Sequence, residues 1–240
     1  RYVLDWDECR HDHEFWPSTK VASCLLEIFR LTPRPELCTY TIEVGEQAQE
    51  AAAKYLSEIT GTTANEEGRF PAVLIHYEGN TSGSKKNLPH ALVQQICEDL
   101  IEVGYVPVIL DWDQRSPVID GRRIFNPDAR HPLWQGKGTG DAETLAALIE
   151  ASSLMIGIDS GPLHVAGATT TLTIGVWTHH HPVHFFDLAD HVQHLVPRNH
   201  AENAAGPHCL KFFEENYRHQ VYDQLDLELR SMVLSQLSGS

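Results

Sequence analysis

The sequence predicts an α/β fold, a Rossmann-like, doubly wound parallel sheet with mostly helical flanking segments. Three observations predict it. Apolar runs of strand length alternate with segments of helical period between residues 70 and 178, small polar loops follow three of those runs, and 240 residues with 42% hydrophobic content suffice for a packed core.

"AVLIHY" (72–77) reads as the first buried strand. Leu92, Val93, Ile96, Leu100 and Val103 then recur at helical spacing until Gly104 offers a stop, and "VPVILDW" (106–112) reads as a second strand, which completes a βαβ unit. A stretch rich in Pro, Gly and Arg follows (114–140). Leu145, Leu148 and Ile149 mark a helix, "LMIGI" (154–158) a strand, "PLHVAGA" (162–168) a short helix and "LTIGVW" (172–177) another strand. Ahead of these, residues 1–38 read as loop-rich with a helix near 20–30, "CTYTIEV" (38–44) as a strand and "EQAQEAAAKYLSEI" (46–59) as a helix. Behind them, the stripe Phe213, Tyr217, Val221, Leu225, Leu229, Val233 and Leu237 predicts closing helices. The reading therefore divides into a flanking segment over 1–69, a Rossmann-like domain over 70–200 and a helical close over 201–240.

Charge excludes some functions. With 33 Asp and Glu against 18 Lys and Arg, the net charge of -15 argues against a broad surface for nucleic acid or anionic membrane, so an anionic ligand needs a local cationic site. No apolar run approaches the roughly 20 residues that span a bilayer. The five cysteines, Cys9, Cys24, Cys38, Cys97 and Cys209, are odd in number and hold no Cys-x-x-Cys pair, which suits a reducing, cytoplasmic setting.

Ligands of open parallel sheets bind beyond the carboxyl ends of the strands. Three polar segments fall there: "EGNTSGSKKN", "DWDQR" and "DSGPLH". In the last, Pro162 suits a first helical turn, Ser160 or Asp159 can cap it, Gly161 admits close approach, and His164 lies one turn in, an arrangement fit for phosphate. An ordinary capped helix fits the same spacing. Asp159 would repel a phosphate, which assigns it to loop capping or to a sugar hydroxyl. In the first segment, Thr81, Ser82 and Ser84 offer hydroxyls, and Lys85 and Lys86 offer charge for a diphosphate, although a solvated loop has the same composition. No Walker loop is present. Asp111 and Asp113 suit ribose hydroxyls or plain solubility, and Thr139 and Gly140 precede a helix that can line the cleft. His179, His180, His181, His184, His191 and His194 lack a metal-binding pattern and predict a cleft-lining turn rather than a metal site.

Together, "LIHYEGNTSGSKKNLP", "VILDWD", "ETLAALIEASSLMIGIDSGPLHVAGA" and "GVWTHHHP" resemble the donor-binding, C-terminal half of glycosyltransferase family 9, the heptosyltransferase-like enzymes of GT-B fold. "DSGPLHVAGA" carries most of the match. The resemblance implies inverting transfer of a sugar from a nucleoside-diphosphate sugar, an ADP-sugar above all, to an acceptor hydroxyl on a saccharide or glycoconjugate. It implies no cofactor, no transmembrane segment and a cytoplasmic location peripheral to the inner membrane. By position, Lys86 corresponds to the family lysine on the donor diphosphate, with Thr81 and Ser82 in its loop. Asp159, Ser160, Gly161 and His164 correspond to the phosphate-holding motif, and Asp111 or Asp113 to the ribose acid. Lys86 and His164 are then the leaving-group stabilisers. Leu88 stands where the family has tryptophan, and "THHHP" replaces a glycine-bearing turn. The family's acceptor site and general base lie in an N-terminal domain, of which residues 1–69 would be the tail, so no catalytic base is assigned. A non-catalytic nucleotide-sugar or phosphate-binding module is the competing expectation, and a domain acting through protein contacts alone is a third.

Overall fold

The computed structural model describes residues 41–80, 86–121, 123–134, 141–178 and 191–195, with residues 29, 30, 32, 182, 189, 211 and 214–216 besides. Along this part of the chain run helix α1 (Glu46–Thr60), strand β1 (Phe70–His76), α2 (His90–Glu102), β2 (Val106–Ile109), α3 (Ala142–Glu150), β3 (Ser152–Ile158), α4 (Gly161–Gly167), β4 (Thr173–Val176) and β5 (Val192–Leu195). All five strands pair in parallel, in the order β2-β1-β3-β4-β5. This is the predicted α/β sheet.

Each face of the sheet carries its own core because successive strand residues point to opposite sides. Ile109, Ile75, Ile156 and Ile174 are paired in register across β2, β1, β3 and β4 and form one row. Val93, Ile96, Cys97 and Leu100 of α2 belong to the same core. Leu74, Val108 and Met155 face the other way, toward Ala52, Tyr55 and Leu56 of α1 and Leu145, Leu148 and Ile149 of α3. Helices on both faces leave no wet side, which is why β1 and β3 read as continuous apolar runs rather than as alternations.

Helix ends follow the local chemistry. Gly104 terminates α2 with φ of 91°, a left-handed conformation that costs glycine little, and its N–H reaches Ile101 O at 3.1 Å. Asp141 caps α3, accepting from Glu143 N at 3.2 Å and from Thr144 Oγ1 at 2.8 Å. Asp141→Ala should therefore cost about 1 kcal/mol, read as a fall of roughly 2–4 °C in melting temperature; an unchanged melt would show the cap to be idle. Glu143 carries its carboxylate back to Gly45 N at 3.0 Å, which fixes the start of α1.

Gly157 and Gly175 pair across β3 and β4, and a Cβ built at either would lie 3.4 Å from a methyl of Leu163. Their bare backbones let α4 sit directly on the sheet.

Two elements depart from the sequence reading. Residues 41–44 of the expected "CTYTIEV" strand form no ladder: Ile42 N donates to Ala168 O at the end of α4, at 3.4 Å, and among the described residues no strand pairs with the segment. Conversely, "VQHL" is the edge strand β5, which sequence reading missed because four residues with two half-exposed positions show no periodicity. The predicted helix near 20–30 and most of the stripe from Phe213 to Leu237 lie outside the described residues.

Candidate functional site

In this strand order the chain leaves β1 toward β2 on one side and leaves β3 toward β4 on the other, so a crevice opens between the carboxyl ends of β1 and β3. His76 ends β1, and Asp159 and Ser160 follow β3.

The loop leaving β1 is stapled at both ends. Leu88 N donates to Tyr77 O at 3.0 Å, and Gly79 N donates to Asn87 Oδ1 at 2.9 Å. Leu88, at the family's tryptophan position, is buried in the α2-side core. Thr178, just past β4, donates its hydroxyl to Lys86 O at 3.2 Å. Lys86 is thus fixed from β1 and β4, whatever path the residues before it take. Thr81, Ser82, Ser84 and Lys85 lie outside the described residues, as do Thr139 and Gly140.

The Lys86 ammonium reaches the end of β3. It stands 2.8 Å from Asp159 Oδ2 and 3.4 Å from Asp159 O, with both side chains largely buried at 14% and 8% exposure. The Oδ2 contact is an ion pair by distance but not an aligned hydrogen bond, so the attraction is chiefly Coulombic. An ammonium has three N–H donors, and this pairing does not use them up.

Asp159, expected to cap the loop or to meet a sugar hydroxyl, pairs with the lysine in this structure. Ser160 is the N-cap of α4, yet its side chain makes no capping bond and meets His76 Nδ1 at 3.2 Å instead. His164, one turn in, has its pKa pushed down, first by burial and also by Lys86, against the opposing pull of Asp159. Its ring is accordingly a neutral polar group near pH 7, not a second cation.

Of the remaining expected residues, Asp113 is engaged at the surface with Arg115 at 2.8 Å. Asp111 holds its own turn, accepting from Ser116 N through the carboxylate and from Asn126 Nδ2 through its carbonyl. Ser116 in turn bonds the hydroxyl of Tyr77. The loops after β1 and β2 are thereby joined. His191 contacts Ala166 O at 3.0 Å, and His194 Nδ1 accepts from Trp177 Nε1 at 3.0 Å, so both are engaged in packing β4, β5 and α4. His179, His180, His181 and His184 lie outside the described residues. Among the described residues no group of three His, Cys, Asp or Glu could hold a metal ion, and no helix is long and apolar enough to cross a membrane.

Sequence reading passed over His76 and Thr178. Burial lowers the His76 pKa to about 4. The unfolded chain takes up a proton on this histidine below about 6.5, whereas the folded chain resists until about 4. Its contribution to stability is therefore present above pH 6.5 and is lost as the pH falls toward 4. His164 and His131, lowered in the same direction, add to the loss. Urea unfolding at pH 7.5 and pH 4.5 should show a smaller difference for His76→Asn than for the parent chain; an equal difference would remove His76 from the account.

With the crevice so defined, the chain can be set beside known proteins. A family model described as glycosyltransferase family 9 (heptosyltransferase) matches residues 44–210, from just ahead of α1 to past β5. The chain belongs to glycosyltransferase family 9. Solved structures agree on the fold. A family 9 glycosyl transferase from Veillonella parvula DSM 2008 superposes with a TM-score of 0.65 at 17% identity, over 90% of this chain and 62% of that one. The E. coli ADP-heptose LPS heptosyltransferase II superposes with a TM-score of 0.53 at 20% identity, over 76% of this chain and 55% of that one. This chain thus spans less than two thirds of the length of either structure. A comparison with curated protein sequences returns no significant match.

Proposed function

We propose that the chain is the donor-binding part of a heptosyltransferase-like glycosyltransferase. The single observation that carries this is the placement of a buried lysine against the turn after β3, at the topological switch point. Breaking the bond from sugar to diphosphate builds negative charge on the departing oxygen, and a fixed cation stabilises that charge without reorganising. Lys86 fills this role, and Asp159 keeps its ammonium over the crevice when no ligand is present. Ser160, Gly161 and neutral His164 add donors, and Thr81, Ser82, Ser84 and Lys85, which precede Lys86 in the sequence, are assigned to the diphosphate by that position alone. Thr139 and Gly140 stand at the entrance to α3, where they line the cleft in this reading. Asp111, tied into its own turn, keeps its remaining carboxylate oxygen for the donor's ribose. Inversion at the anomeric carbon requires an acceptor hydroxyl that gives up its proton to a positioned base. That base belongs to the acceptor domain of the two-domain fold, not to the residues described here.

An adenine nucleotide is the favoured donor carrier, because the E. coli relative of like fold is named for ADP-heptose. A saccharide or glycoconjugate acceptor and a cytoplasmic location at the inner membrane complete the reading. A second reading has one observation behind it: Asp159 already neutralises Lys86, as suits a module that binds without transfer.

Calorimetry with ADP, GDP and UDP, followed by an assay of ADP release from ADP-heptose, separates these. Tight binding of ADP over the other two supports the donor reading, and release on addition of a saccharide acceptor supports transfer. Binding without release, in a protein that also carries the acceptor domain, favours the module. No binding of any of the three would sink both.

A further inference from the structure

His76 closes β1 at the switch point and is 7% exposed. It pairs in register with Gly157 of β3, and its Nδ1 meets Ser160 Oγ at 3.2 Å. A serine at a helix N-cap ordinarily turns its oxygen onto the N–H groups of the first turn. In α4 it does not, although Ser160 occupies the cap. Contact with the imidazole takes the place of capping.

The hydroxyl has one proton, and a diphosphate only accepts. For Ser160 to donate to a phosphate oxygen, its own oxygen must accept from the ring, and a neutral ring carrying its proton on Nδ1 meets that need. We propose that His76 is a positioning residue that holds the Ser160 hydroxyl off the helix cap and turned as a donor toward the diphosphate in the crevice. This role rests on the donor-binding reading above. It needs no change in the ring's charge and no contact between the ring and the ligand.

The test is ADP binding by the full chain and its variants, followed by calorimetry. His76→Leu should weaken ADP about tenfold, as expected for the loss of an oriented bond to a charged group. Ser160→Ala should weaken it by a similar factor, and the double variant no further, because the two act in series. His76→Asn, whose amide nitrogen can stand in for Nδ1, should stay within about twofold of the parent. Nitrogen-15 NMR of the ADP complex should show His76 neutral with its proton on Nδ1. Equal losses from His76→Leu in the parent and Ser160→Ala backgrounds, or no rescue by asparagine, or a proton on Nε2, would overturn the assignment while leaving the donor reading intact. Absence of ADP binding by the parent chain would overturn both.

Discussion

Lys86→Met is expected to lose about 3 kcal/mol of stability, because it strands the Asp159 carboxylate in a site that is only 8% exposed. For a chain of this size that is a fall of roughly 6–12 °C in melting temperature. The same change should weaken ADP about a hundredfold, as truncation of one member of a buried charge pair does at a binding site. The two effects have different origins and can be separated. The double variant Lys86→Met with Asp159→Asn removes the stranded charge, so it should recover most of the melting temperature and none of the affinity. If the single variant melts like the parent, the ion pair is not buried as described. If it binds ADP like the parent, the lysine does not serve the diphosphate.

The second large effect lies in the sheet that holds the crevice. Ile156 sits at the centre of β3, paired with Ile75 on one side and Ile174 on the other, and is fully buried. Ile156→Ala removes its side chain from the middle of the four-strand isoleucine row and should cost about 3 kcal/mol, with a cavity that close packing cannot refill. Val103→Ala, at an exposed position after α2, is the control and should fall within about 0.5 kcal/mol of the parent. Denaturant midpoints measure both. Similar costs at the two positions would contradict the placement of β3 between β1 and β4.

How far the sequence foretold this arrangement depended on the length of each signal. Strands β1 and β3 are legible because burial on both faces writes the apolar runs "AVLI" and "LMIGI" inside them. The four residues of β5 leave no such trace, and the alternation in "TIEV" is a strand signal that finds no partner among the described strands. At the site, Lys86 and the "DSGPLH" turn were legible as polar residues at strand ends, and the structure brings them to 2.8 Å of each other. Asp159 reads in the sequence as a charge that repels phosphate, because nothing there shows the lysine 73 positions away that pairs with it. His76 was invisible for a different reason: a histidine at the end of an apolar strand reads as the last residue of the core, and only its register beside Gly157 shows that it reaches Ser160. Thr178 likewise acts through a hydroxyl on a backbone carbonyl 92 positions away in sequence.

Soaking crystals of the chain with ADP tests the central claim most directly. Density for the diphosphate within hydrogen-bonding distance of Lys86 Nζ and Ser160 Oγ is the predicted result. Nucleotide bound at another edge of the sheet, with the Lys86 pair to Asp159 undisturbed and no phosphate near it, would contradict it.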